Sequence, residues 1–240
     1  MLFSATTTTF VTAMLLTTVG GVPQPRHRTL QHRDQQFENG VTTSMEWGKH
    51  VHASITTHDA SIDGHTTYSL ELTPVGGAET IYALYGHEQV ALEMPPAYQV
   101  ATPFGTNFGG TPSQLLAIRP DAQFDSFLFA SASSGKLGSA GIDFDSWTLD
   151  NGLSCTNGAV FYADPYDAPP GPIVAAQLTV PTGSVFTAQM GVQGHKAIDT
   201  AFQATLVGNP AVEDISKARE SWNQEYVQFS IAGSPMPTGH

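Results

Sequence analysis

Asp143 and Asp145 sit two residues apart in "GIDFDSW", and Asp164 and Asp167 flank Tyr166 in "YADPYDAPPG". Carboxylates at i and i+2 of a strand share one face about 7 Å apart, inside the roughly 6.5–9.5 Å range of inverting glycosidases. Such acids must approach a scissile bond from opposite sides, however, and neighbours on one strand face project in parallel. A glycoside hydrolase or lyase built on this chain would draw on Asp125, Asp143, Asp145 and Asp164. The alternating Glu-Asp-Glu strand of a glucanase is missing, because no Glu occurs between residues 94 and 212.

Calcium is the other chemistry that carboxylates in turns can do. Asp143, Asp145, Asp164 and Asp167, with Asp150 and turn carbonyls, supply the hard oxygen ligands that calcium prefers. The D-x-D-x-D-G run of an EF-hand is absent, and aspartate also favours turns for local hydrogen bonding alone.

Aromatic residues accompany these acids. Trp147, Tyr162 and Tyr166 lie in the same stretch, and Tyr98 falls in "PPAYQVATPFGTNFGGTP". Rings beside carboxylates suit sugar binding: the ring stacks on C–H faces while the carboxylate accepts hydroxyl hydrogen bonds. These four aromatics are the expected ligand-binding residues, and the alternative for Trp147 is the core.

Other motifs exclude more than they suggest. "KHVHASITTHDASIDGH" places His50 and His52 at the spacing of a strand-borne metal pair, but no Glu follows where a cupin would need one, and exposed strand histidines are the simpler reading. Neither a G-x-x-x-x-G-K loop nor a G-x-S-x-G elbow is present. Cys155, the single cysteine, excludes an internal disulfide and reads as a small buried hydrophobe.

The elements that must position these residues are short. From residue 47 onward, apolar or alternating runs such as "HVHASITT", "TTYSLELT", "AYQVATPF", "AGIDFDSWT", "IVAAQLTV" and "SVFTAQMGVQ" are separated by Gly, Pro, Asn and Asp. In "TTYSLELT", Tyr68, Leu70 and Leu72 share one face while Ser69 and Glu71 share the other, as a half-buried strand requires. Runs at this spacing predict an all-β antiparallel sandwich, jelly-roll-like. One C-terminal helix is expected to pack on it in "GNPAVEDISKARESWNQEY". Asn209 would be its N-cap and Pro210 its first residue, with Val212, Ile215 and Trp222 toward the sheet.

Charged residues make up only 12% of the 240-residue chain, about half the usual share, and Gly, Thr, Ser and Pro take their place. The formal charge is -12, and four of the nine Lys and Arg residues fall before residue 50. The body is therefore acidic, which disfavours nucleic acid and anionic lipid but leaves cations and neutral polysaccharides open. An apolar stretch from Phe10 to Val19 has the length of a signal-peptide core and is too short to span a membrane.

Residues 1–21 are accordingly expected to be a signal peptide, 22–45 a basic flexible arm or propeptide, and 46–240 a single β-sandwich domain. The expectation is a secreted, non-catalytic surface or matrix module that binds a polysaccharide, a cell-surface component or calcium. The alternatives are a polysaccharide-active enzyme using aspartates, and a structural coat or wall protein associating through Cys155.

Overall fold

The computed structural model describes residues 37–38, 41–42, 49–130, 136–198 and 219–232. Strands dominate it. In chain order they are β1 (Phe37–Glu38), β2 (Val41–Thr42), β3 (Val51–Thr57), β4 (His65–Pro74), β5 (Ala78–Gly86), β6 (Leu92–Met94) and β7 (Phe108–Gly109). Then come β8 (Phe127–Ala130), β9 (Leu137–Ala140), β10 (Leu153–Cys155), β11 (Gly158–Tyr162), β12 (Ile173–Pro181), β13 (Phe186–Lys196) and β14 (Ser221–Ile231). The expected signal peptide (residues 1–21) and most of the 22–45 segment lie outside the described residues. The β1–β2 ladder falls within that segment, and Gln35–His240 forms one compact unit.

Two sheets carry the fold. The first has the order β3-β4-β12-β8-β7, antiparallel except for the parallel β7–β8 pair. In the second, β13 is central, with β14 on one flank and β5 and β6 end to end on the other. Beside these, β11 pairs with β5, β10 pairs with β6, and β9 closes the edge against β11. Residues 87–91 are thus an insertion in one long interrupted strand, pinched off by mutual backbone bonds of His87 and Val90. Early strands pair with late ones in both sheets, β4 with β12 and β5 with β11. That rolled pairing is the jelly-roll-like sandwich expected from the spacing of the runs.

The alternation in β4 does what its sequence implies: Leu70 and Leu72 are fully buried, and Tyr68 nearly so. They face Leu84, Val160, Met190 and Val192 of the second sheet in a single core cluster. Burying side chains of this size contributes about 1.5–3 kcal/mol each. At the sandwich edge, the Gln224 side-chain oxygen accepts the backbone N–H groups of His50 and Val51, tying β14 to the start of β3.

The expected C-terminal helix is corrected in its last part. From Ser221 the chain is strand, and Trp222 is a buried strand residue paired with Gly194. Residues 208–218, which contain the expected helix start, lie outside the described residues. Two further runs are not strands. "AYQVATPF" is loop, and "AGIDFDSWT" leaves β9 at Gly141, whose φ of 72° suits glycine, to enter a single 3₁₀ turn at Phe144–Ser146.

The long connection from β6 to β8 lies over the outer face of the first sheet. Gln177 projects away from the core there, and its side-chain N–H donates to the carbonyls of Gln123 and Asp125. Thr67 and Thr179 share a buried hydroxyl bond on the same face. The Asp125 carboxylate holds this cover closed. It is wholly buried; Oδ1 accepts the Val100 N–H at 2.7 Å and Oδ2 the Thr106 N–H at 2.6 Å.

Burial pushes the Asp125 pKa up to about 6, against the pull of those backbone donors. Because its folded-state value is raised, the stability it lends is full below about pH 4 and is lost as pH rises through about 6. The unfolding free energy of the wild type, minus that of Asp125→Asn, should therefore fall by about 3 kcal/mol between about pH 3 and pH 7. Urea unfolding across that range measures it, and a constant difference would contradict the account.

Candidate functional site

The acidic stretch does not assemble into one site. Asp143 and Asp145 are exposed on either side of Phe144 in the 3₁₀ turn, so they do not share a strand face. The backbone carbonyl of Asp143 accepts the Ser146 hydroxyl. Asp164 caps the next 3₁₀ turn by accepting the Tyr166 N–H, and Asp167 pairs with Lys136 at 3.3 Å. Among the described residues, no three His, Cys, Asp or Glu side chains gather in a metal-binding group. Asp125 has both carboxylate oxygens committed to backbone and no exposed surface to offer a substrate.

The four expected ligand-binding aromatics also separate. Trp147 is 2% exposed and donates its indole N–H to the Pro95 carbonyl, so it is a core residue. Its odd offset from Ile142 and Phe144 suggested the opposite face, but the 3₁₀ turn rotates it inward. Tyr162 is buried edge-on against Phe129. It lines an apolar cleft of about 300 Å³ with Ile173 and Val174. Phe129 itself sits at φ 51°, a costly conformation for a bulky residue, where the β7–β8 register shifts.

Tyr98 is half-buried beside the first sheet, its backbone bonded to Thr179 and Ser126. Tyr166 is 39% exposed and stacks on His195 at 4.8 Å and 7°. Burial, and then Arg219, lower the His195 pKa, while Asp164 opposes them.

The remaining histidines serve local contacts. His50 is buried and stacks on Trp222, and His58 bonds to Ser69. His52 stays half-buried on β3 and is not joined to His50 in any metal-binding group. Cys155 is buried, as expected of a small hydrophobe, with its thiol donating to the Gly141 carbonyl.

The register of the second sheet assembles a different set of residues. Core-facing pairs such as Ala188–Phe229 and Leu92–Cys155 alternate with pairs on the opposite, outer face. On that face one row runs Gln228–Gln189–Glu93–Ser154 across β14, β13, β6 and β10. Thr187 pairs with Ser230 on one side of the row. On the other, Asn223 pairs with Gln193, Gln193 with Ala83, and Ala83 with Phe161. Directly paired residues put their side chains on one face, so these groups form a continuous, mostly polar surface of amides, hydroxyls and the Glu93 carboxylate that ends in Ala83 and Phe161, and exposed Glu225 of β14 adds a second carboxylate near Tyr85.

Between the rows lies Tyr85. Its ring crosses β13 above Gly191, and its hydroxyl donates to Asn223 Oδ1 on β14 at 2.6 Å. A Cβ at position 191 would land on that ring, so the glycine is the seat of the tyrosine. His87, from the insertion at 87–91, stands beside it at 5.7 Å and bonds to Gln89. Burial raises the Tyr85 pKa above its ordinary value.

Sequence reasoning missed this face because its members come from six strands. The usable signal was the polar side of "SVFTAQMGVQ" and "EYVQFSIAG", where glutamines occupy positions that strands often give to charges.

No protein-family model, no curated protein and no solved structure matches this chain. The class defined by its own geometry is an all-β, jelly-roll-like sandwich with one sheet face covered by a loop and the opposite outer face lined mostly by polar side chains. Among the described residues, no helix is long and apolar enough to cross a membrane.

Gly191→Ala should displace Tyr85 from Asn223 and cost about 1–3 kcal/mol of stability. Phenolate absorbance titration should then show one tyrosine moving back toward its ordinary pKa. An unchanged titration would mean that Tyr85 does not depend on this seat.

Proposed function

We propose that this protein is an exported, non-catalytic module that binds neutral carbohydrate through the outer face of its second sheet. The observation that carries the reading is the row of Gln228, Gln189, Glu93 and Ser154 beside the Tyr85 ring. Sugars present hydroxyls that amides and carboxylates recognise, and C–H faces that pack on aromatic rings. The surface is poor in the positive charge that an anionic glycan would need, and the chain as a whole carries -12. Export rests on the apolar stretch from Phe10 to Val19, which fits a signal-peptide core.

Binding is favoured over catalysis because the acids that could act are dispersed: Asp125 holds backbone, Asp164 caps a turn and Asp167 pairs with Lys136. Calcium has weaker support, since the expected ligands fall in two separate turns with local partners.

The test is an incubation of the full chain with soluble and insoluble neutral polysaccharides, with bound fraction and released oligosaccharides both measured. Retention without products is expected. Tyr85→Ala should weaken it by about tenfold, the equivalent of roughly 1.4 kcal/mol, while Trp147→Phe, a core change, should leave affinity unchanged in the folded fraction. Released products would replace this reading with an enzyme. Absence of retention on every glycan would refute it.

A further inference from the structure

We propose that the ligand is a linear, extended β-1,4-linked neutral glycan lying across the strands, one sugar unit over each of β14, β13, β6 and β10. This rests on the carbohydrate reading above and adds the direction, length and shape of the bound chain.

Direction follows from Tyr85. Its side chain runs across the sheet from β5, over Gly191 of β13, to Asn223 of β14. On β13 it therefore stands between Gln189 and Gln193, both of which project on the same face. A chain laid along β13 would have to climb over the ring to touch both glutamines. A chain laid across the strands runs parallel to the ring and can pack against it over its length. His87, adjacent to Tyr85 at 5.7 Å, continues the same border.

Length follows from register. Gln228, Gln189, Glu93 and Ser154 lie directly opposite one another on four successive strands. Neighbouring strands are about 4.8 Å apart, so the row spans about 14 Å. That spacing is close to the advance of one unit along an extended β-1,4 glycan. Each unit thus meets one hydrogen-bonding side chain: an amide, an amide, a carboxylate acceptor and a hydroxyl. Glu93 and Ser154 are exposed, and Gln189 and Gln228 half-exposed, so all four are open to a ligand.

Shape follows from the small side chains that border the row among the described residues. On the side away from Tyr85 the neighbouring pair is Thr187 and Ser230, both small. An extended ribbon can lie flat on such a row. A compact or helical glycan would touch only one or two of its members.

The test is calorimetry of the full chain with linear β-1,4-linked glucose, mannose and xylose oligomers of two to eight units. Affinity for at least one series should rise about three- to tenfold with each unit up to four and then level off. Gln228→Ala and Ser154→Ala, at the two ends of the row, should each remove the gain from the fourth unit. Both should leave the dimer, which the central Gln189 and Glu93 suffice to hold, within about twofold of wild type.

A loss that instead follows Thr187→Ala and Gln193→Ala would mean that the chain runs along β13 and would overturn the proposal. Equal affinity for dimer and hexamer, still abolished by Tyr85→Ala, would also overturn it while leaving carbohydrate binding intact. Binding by no oligomer or polysaccharide would overturn both. Circular dichroism of each variant separates loss of binding from loss of fold.

Discussion

A carboxylate with no exposed surface, Asp125, closes the long connection between β6 and β8 over the first sheet. Removing a charge from water is costly unless hydrogen bonds compensate, and here the backbone N–H groups of Val100 and Thr106 offset that cost only in part, since burial still raises the Asp125 pKa. In return, two backbone donors of an otherwise irregular loop are satisfied. Gln177 reinforces the closure by bonding to two carbonyls of the same loop, and Thr67 and Thr179 satisfy each other beneath it. The covered face of the first sheet therefore carries polar side chains bonded to one another and to the loop above them.

The second sheet is finished differently. Its inner face meets the common core through Leu84, Val160, Met190 and Val192. Its outer face is left to Tyr85, to one four-strand row of polar side chains with its neighbours, and to the Glu93 and Glu225 carboxylates. Two glycines of β13 make this possible on opposite sides of one strand. Gly191 seats Tyr85 outside, and Gly194 seats Trp222 inside, where a Cβ would collide with the indole. A side chain at either position would force a large ring to move. The strand thus fixes both the packing of the core and the layout of the open face.

Much of this fold was legible in the sequence, and the site was not. The period-two pattern of "TTYSLELT" became β4 with Leu70 and Leu72 buried, because alternation alone determines which face is apolar. The same pattern misled in "GIDFDSW". Ile142 and Phe144 do pack against the core, but the chain turns at Gly141 into a 3₁₀ turn at Phe144–Ser146, after which Trp147 is buried. Local pattern could not reveal that Asp125 is consumed by the backbone of a loop some twenty residues earlier in the chain. Nor could it show that Gln228, Gln189, Glu93 and Ser154 align, since their alignment depends on the pairing of four strands from across the chain. Composition still held the hint: polar strand positions filled by glutamine and threonine in a chain with few charges.

The claim that matters most is that the outer face of the second sheet is the binding surface. Backbone and side-chain amide NMR, recorded while a neutral linear oligosaccharide is added to the full chain, tests it most directly. The account predicts shifts concentrated at Tyr85, His87, Gln189, Asn223 and Gln228, with the turns holding Asp143, Asp145, Asp164 and Asp167 unmoved. Shifts centred on those aspartates, with the Tyr85 face silent, would contradict it.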